Sequence, residues 1–187
     1  MRNNLVVALL GLVIVGALLA RSREESAISG GTFLVYDVGG SAMRLTFSST
    51  DGDGFSTRVE YADDNGAFGT DEPPATPGDV VDARMQTADG RIFELDSLGP
   101  LWVPPSDVQE GGNANGTRIG EVRHWESWDV GVVTASVGMD MALRGEWYYD
   151  TRTGFLVGGT KSTAVSAPGQ EFVFTLTDSN LPDLGLR

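Results

Sequence analysis

From residue 32 onward the apolar positions recur in short runs with a period of two. Met43, Leu45 and Phe47 alternate with Arg44, Thr46 and Ser48. Phe172, Phe174 and Leu176 alternate with Thr175 and Thr177. Successive side chains of a strand point to opposite faces, so such runs predict sheets with one buried and one wet side, typical of antiparallel pairing. The pattern predicts strands near 32–38, 42–49, 55–62, 79–87, 90–95, 117–126, 129–137, 143–150, 154–165 and 170–178. Turn residues separate them: Asp51-Gly52-Asp53-Gly54, Ala88-Asp89-Gly90 and Asp150-Thr151-Arg152-Thr153-Gly154. Glycine and aspartate there suit tight hairpins. Residues 63–78 and 99–116 read as longer loops, with Leu101, Trp102 and Val103 expected to pack back on the core. No stretch after residue 31 keeps a helical period. The expectation is all-β: one domain over 32–187 of about ten antiparallel strands, arranged as a curved sheet, a half-barrel or a sandwich.

The amino-terminal segment breaks this pattern. Leu5 to Ala20 is apolar throughout, with Arg2 before it and Arg21 and Arg23 after it. As a helix, its sixteen residues rise about 24 Å. That is short of a hydrocarbon core of about 30 Å. It is longer than the apolar region of a signal peptide, about 7–15 residues. A buried core helix would usually carry a polar face, which this run lacks. Ala20-Arg21-Ser22 is a poor cleavage site, and the flanking arginines can reach the interface and lengthen a span. Residues 1–23 are therefore read as one hydrophobic helix, a membrane anchor or a signal segment, with the uncleaved anchor favoured. Residues 24–31 form a short polar tether. The membrane is the expected partner through residues 5–20, and the β domain is expected to be extracytoplasmic.

Splitting the chain there changes its charge. The 187 residues carry 13 bases and 26 acids, a net charge of −13. Removing Arg2, Arg21 and Arg23 leaves 10 bases against 26 acids, or −16 from residue 24 onward. Lys161 is the only lysine. This acidic balance opposes nucleic-acid binding. The absence of cysteine removes disulfides and every thiolate-ligated metal centre. A single histidine, His124, removes sites that need two imidazoles.

Few residue sets suggest chemistry. Ser49-x-Asp51-x-Asp53-Gly54, followed by Glu60, has the spacing of a calcium loop. Its first ligand is Ser rather than Asp, and its flanks are strands rather than helices, so a plain hairpin is the simpler reading. Calcium through Asp51, Asp53 and Glu60 is the one cofactor the sequence suggests. His124, Trp125, Trp128, Trp147 and Tyr149 are an aromatic group that could line an apolar ligand site, or fill a core with satisfied polar tips. The doublets Asp63-Asp64 and Asp71-Glu72 lie in a polar loop where carboxylates stay solvated. No G-x-S-x-G elbow accompanies His124. Asn115-Gly116-Thr117 is a glycosylation sequon.

The stretch Trp147-Tyr148-Tyr149-Asp150-Thr151-Arg152-Thr153-Gly154-Phe155-Leu156-Val157 resembles the W/Y-Y-D-x-x-T-G-x-L hairpin of exported archaeal β proteins. Leu101-Trp102-Val103-Pro104-Pro105 through Gly112 resembles a loop upstream of it in those proteins. The hairpin is also similar to those of the periplasmic lipoprotein-carrier family, whose curved antiparallel sheet holds an acyl chain. The resemblance spans about residues 98–180 and transfers no functional residue. The leading expectation is a membrane-tethered or secreted β domain with a structural or interaction role and no catalytic site. The alternative is a binding module for a lipid or other apolar ligand, and a secreted hydrolase comes third.

Overall fold

Among the described residues the chain forms eleven strands: β1 (Phe33–Val38), β2 (Ser41–Ser49), β3 (Phe55–Tyr61), β4 (Glu94–Leu95), β5 (Gly99–Pro100), β6 (Asn113–Ala114), β7 (Thr117–Trp125), β8 (Trp128–Val137), β9 (Leu143–Asp150), β10 (Leu156–Thr163) and β11 (Glu171–Ser179). This computed structural model describes residues 27–68, 80–90, 93–95, 98–114, 116–137, 143–163 and 171–186. Nine strands form one antiparallel sheet in the order β3-β2-β1-β11-β10-β9-β8-β7-β6, and β4 pairs with β5 apart from it. Every neighbouring pair in the large sheet is consecutive in the chain except β1–β11. Two meanders are therefore joined at one long-range seam, where Tyr36 lies opposite Leu176 and Val38 opposite Phe174.

One face of this sheet is the core. Leu34, Tyr36, Met43, Leu45, Phe47, Phe174 and Leu176 are all buried. Their register brings them together, with Leu34 opposite Leu45 and Tyr36 opposite Met43. The Tyr36 hydroxyl donates to the Leu156 carbonyl at 2.8 Å. Burial, and then the neighbouring Tyr149, push the ionisation of Tyr36 well above the usual phenol range.

The cover over this face is irregular chain rather than a second large sheet. Phe93 meets Phe47 edge-on, with centroids 6.5 Å apart. Trp147 donates its indole N–H to the Leu98 carbonyl at 2.7 Å, and Tyr149 donates its hydroxyl to the Pro100 carbonyl at 3.0 Å. Val108 packs against Gly131. The cover is fixed to the start of β10: the Val103 amide donates to Gly154, and the Leu156 amide donates to Leu101, each at 2.9 Å. Leu101, Trp102 and Val103 are buried as their apolarity suggested.

Four sequence expectations change. Of the strand expected over 79–87, residue 79 lies outside the described residues, and 82–86 form a tight turn, with Val81 making only isolated bridges to Phe55 and Thr87. The Asp82 carboxylate accepts from the Arg84 and Gln86 amides, which bends the chain and drops Met85 into the core at φ +57. A side-chain acceptor has here outcompeted the ladder. Among the described residues of 90–95 only Glu94–Leu95 is strand, and the loop expected over 99–116 contains β5, β6 and a short 3-10 turn, Pro105–Asp107. Within the tether expected over 24–31, Ala27 and Ile28 are buried, and the Ala27 amide donates to the Ala83 carbonyl at 2.7 Å. The hydrophobic helix expected within residues 1–23 lies outside the described residues. Among the described residues no helix is long and apolar enough to cross a membrane.

Candidate functional site

Pleating divides the aromatic group between the two faces of the sheet. Trp147 and Tyr149 point into the covered core, where their polar tips bond to the Leu98 and Pro100 carbonyls. Tyr148 lies between them in sequence and so faces the other way. Trp125 and Trp128 join it there. Trp125 stacks on Trp128 with centroids 5.8 Å apart and leans on Tyr148 at 4.9 Å. Gly158 makes room for this, since a Cβ there would sit 2.3 Å from the Trp125 ring. The turn of the β7–β8 hairpin is Glu126-Ser127, with Glu126 at φ +51. His124 pairs across it with Asp129 at 3.0 Å, and both side chains are about 70% exposed (70% and 73%). An exposed pair of this kind lacks the burial that holds a catalytic imidazole in one orientation.

The open face also carries a polar network that the aromatic pattern alone does not reveal. Arg123 donates to Glu146 at 2.9 Å, to the Tyr148 hydroxyl at 3.1 Å and to Glu121 at 3.0 Å. Tyr148 in turn donates to Glu146 at 2.8 Å. Burial, and then the bond to Glu146, raise the ionisation of Tyr148 above its ordinary range. The Arg123 guanidinium lies 5.1 Å from the Tyr148 ring centroid. Arg, Trp and Tyr are the residue types that dominate binding energy at protein interfaces. The sequence signal was available in the alternation of Glu121, Val122 and Arg123 along an edge strand, but the partners Glu146 and Tyr148 lie on another strand.

The hairpin after β9 explains its own motif. Asp150 is fully buried and accepts from the Thr153 amide at 3.0 Å and hydroxyl at 2.7 Å. Arg152 Nε approaches its other oxygen at 3.8 Å. Gly154 has φ +74, and a Cβ there would sit 1.8 Å from the Val103 carbonyl oxygen, so only glycine fits beneath the cover. Beside this hairpin is a cavity of about 310 Å³ with Trp102, Phe155 and Leu181 on its walls and Arg152 and Asp183 among its polar groups. Arg152 donates to the Asp183 carbonyl at 3.1 Å, and Trp128 donates to the Leu184 carbonyl at 2.8 Å, which ties down the carboxy-terminal tail.

The calcium spacing folds as a hairpin. The Thr50 amide bonds to the Gly54 carbonyl at 3.0 Å, while Asp51 and Asp53 are exposed in the turn. Glu60 sits down β3, opposite Arg44, and pairs with Arg58 at 2.9 Å. Five residues of strand from Phe55 carry it about 16 Å from the turn. Among the described residues no three His, Asp or Glu side chains are grouped to hold a metal ion. Asp63 caps its own loop by accepting from the Asn65 and Ala67 amides, with the Ala67 bond foremost in holding its carboxyl below the usual range. Asp71-Glu72 and Asn115 lie outside the described residues. Compared with models of protein families, with curated proteins and with solved structures, the chain matches none.

Proposed function

We propose that the chain is a membrane-directed, extracytoplasmic β domain that acts by protein–protein interaction and not by catalysis. The observation that carries this reading is how close the apolar run comes to the folded body. Ala20 ends the run, Ala27 is the first described core residue, and six residues separate them. Even fully extended, such a link spans only about 20 Å. A helix inserted in a bilayer would hold the domain against that surface. The Arg123–Trp125–Tyr148 surface supplies the side chains an interaction module uses. Fractionation of cells expressing the full chain tests the reading. The protein should stay with the membranes through alkaline extraction and be open to protease from the outer side. Recovery as a soluble cytoplasmic protein would refute it.

A second reading, an apolar-ligand module, draws on the half-barrel resemblance and on the cavity walled by Trp102, Phe155 and Leu181. The sheet face that would hold an acyl chain is occupied by the segment from Phe93 to Val108. A small ligand suits the remaining space better than an acyl chain. Native mass spectrometry after mild extraction distinguishes the two, since a retained mass belongs only to the second.

A further inference from the structure

We propose that the outer edge of β7 pairs with the same edge of a second copy, antiparallel about a two-fold axis through Val122. This rests on the interaction role above and names its partner.

The sheet leaves this edge unfinished. β6 covers β7 only opposite Thr117 and Arg118, and Gly111 and Gly112 exchange backbone bonds with Ile119. From Gly120 to His124 every residue is exposed, and among the described residues no strand lies on that side. The hydrogen-bond phase is set by the hairpin. A two-residue turn makes Trp125–Trp128 a bonded pair, so Arg123 and Glu121 also spend their amides and carbonyls on β8. Val122 and His124 therefore turn theirs outward. A strand pairing through Val122 meets the groups that are free.

The charges select the partner. A guarded edge presents like charges or an inward lysine to any copy that approaches. Here a two-fold through Val122 sets Glu121 of one copy opposite Arg123 of the other, twice, on one face of the new ladder. Directly opposed opposite charges stabilise such a pair. Val122, 45% exposed, meets its own symmetry mate on the other face. Five residues, 120–124, are used on each copy, and beyond them the turn at Glu126-Ser127 carries the chain away from the edge. An isologous contact of this kind closes on itself and makes a dimer, not a fibre.

The chain has no cysteine, so a single introduced thiol reports only contacts between copies. In the full chain expressed in cells, Val122→Cys should form a disulfide dimer under mild oxidation, because bonded antiparallel partners lie about 5.5 Å apart at Cα, within disulfide reach. Val173→Cys, equally exposed but far from this edge, should not. On the Val122→Cys background, Glu121→Arg or Arg123→Glu alone should cut cross-linking about tenfold. Co-expressing the two should restore it, since the mixed dimer has Arg facing Glu at both positions. Equal cross-linking of Val122→Cys and Val173→Cys, or no restoration by the mixture, would overturn the pairing. A membrane-bound monomer refutes only the pairing. A cross-linked dimer found in the cytoplasm refutes only the anchoring.

Discussion

Trp147 and Tyr148 are neighbours in β9, yet they belong to different parts of the molecule. Trp147 is pinned under irregular chain by a bond to Leu98, and Tyr148 lies on the opposite side beneath Trp125 and Arg123. The glycine pair in β10 shows the same division. Gly158 lets Trp125 lie on the open face, and Gly159 lets Phe174 lie on the covered one. Both faces bury aromatic surface, but the covered face is the one locked mainly by backbone. Its side chains bond to carbonyls of a segment that is itself bonded to the sheet. On the open face Trp128 is tied to the Leu184 carbonyl, but the partners of Arg123 and Tyr148 are other side chains, which can exchange for water or a partner at little cost.

That contrast can be broken at its joint. Gly154→Ala should be the most damaging change, since its Cβ would collide with the Val103 carbonyl and separate cover from sheet. A loss of about 4 kcal/mol or more, of the size reserved for backbone conflict and overpacking, should appear in denaturant unfolding. Leu101→Ala removes a fully buried side chain from the cover itself. It should cost about 3 kcal/mol, read the same way.

Smaller changes sharpen the contrast. Trp147→Phe keeps an aromatic ring but gives up part of the indole's packing and orphans the Leu98 carbonyl, a loss of about 2 kcal/mol. Tyr36→Phe should cost about 1 kcal/mol at neutral pH and also change the alkaline limb. The folded chain holds the Tyr36 proton more tightly than the unfolded chain does. That stabilisation is complete below about pH 10 and is lost as pH rises above it. Thermal melts of the wild type should fall there, and those of Tyr36→Phe should fall less. Glu146→Gln on the open face should cost under about 1 kcal/mol, as expected for an exposed ion pair, although it removes the negative charge that Arg123 and Tyr148 share. Equal costs for Trp147→Phe and Glu146→Gln would mean the two faces are not held differently.

Most strands were legible because alternation is local. The runs at 143–150 and 117–126 fold nearly as read, and the turn at Asp51–Gly54 is a hairpin. The expected strand at 79–87 failed because Asp82 bonds to amides within its own turn, which an apolar–polar count does not register. The aromatic group was legible as a set of large residues but not as a site. Trp125 meets Tyr148, 23 positions away in the sequence, only through the β7–β8 and β8–β9 registers.

By itself, the sequence determined the all-β class, the acidic surface, the missing thiol chemistry and the apolar run that precedes the domain. Each follows from composition or from a period of two along a few residues. Tertiary structure alone decided that irregular chain rather than a second large sheet covers the core. It also decided that Arg123, Glu146 and Tyr148 meet, and that β6 covers only the start of β7, so that among the described residues no strand pairs with its edge from Gly120 to His124. These depend on registers between strands far apart in the chain, and pairing at that distance is set by the packing of the whole domain.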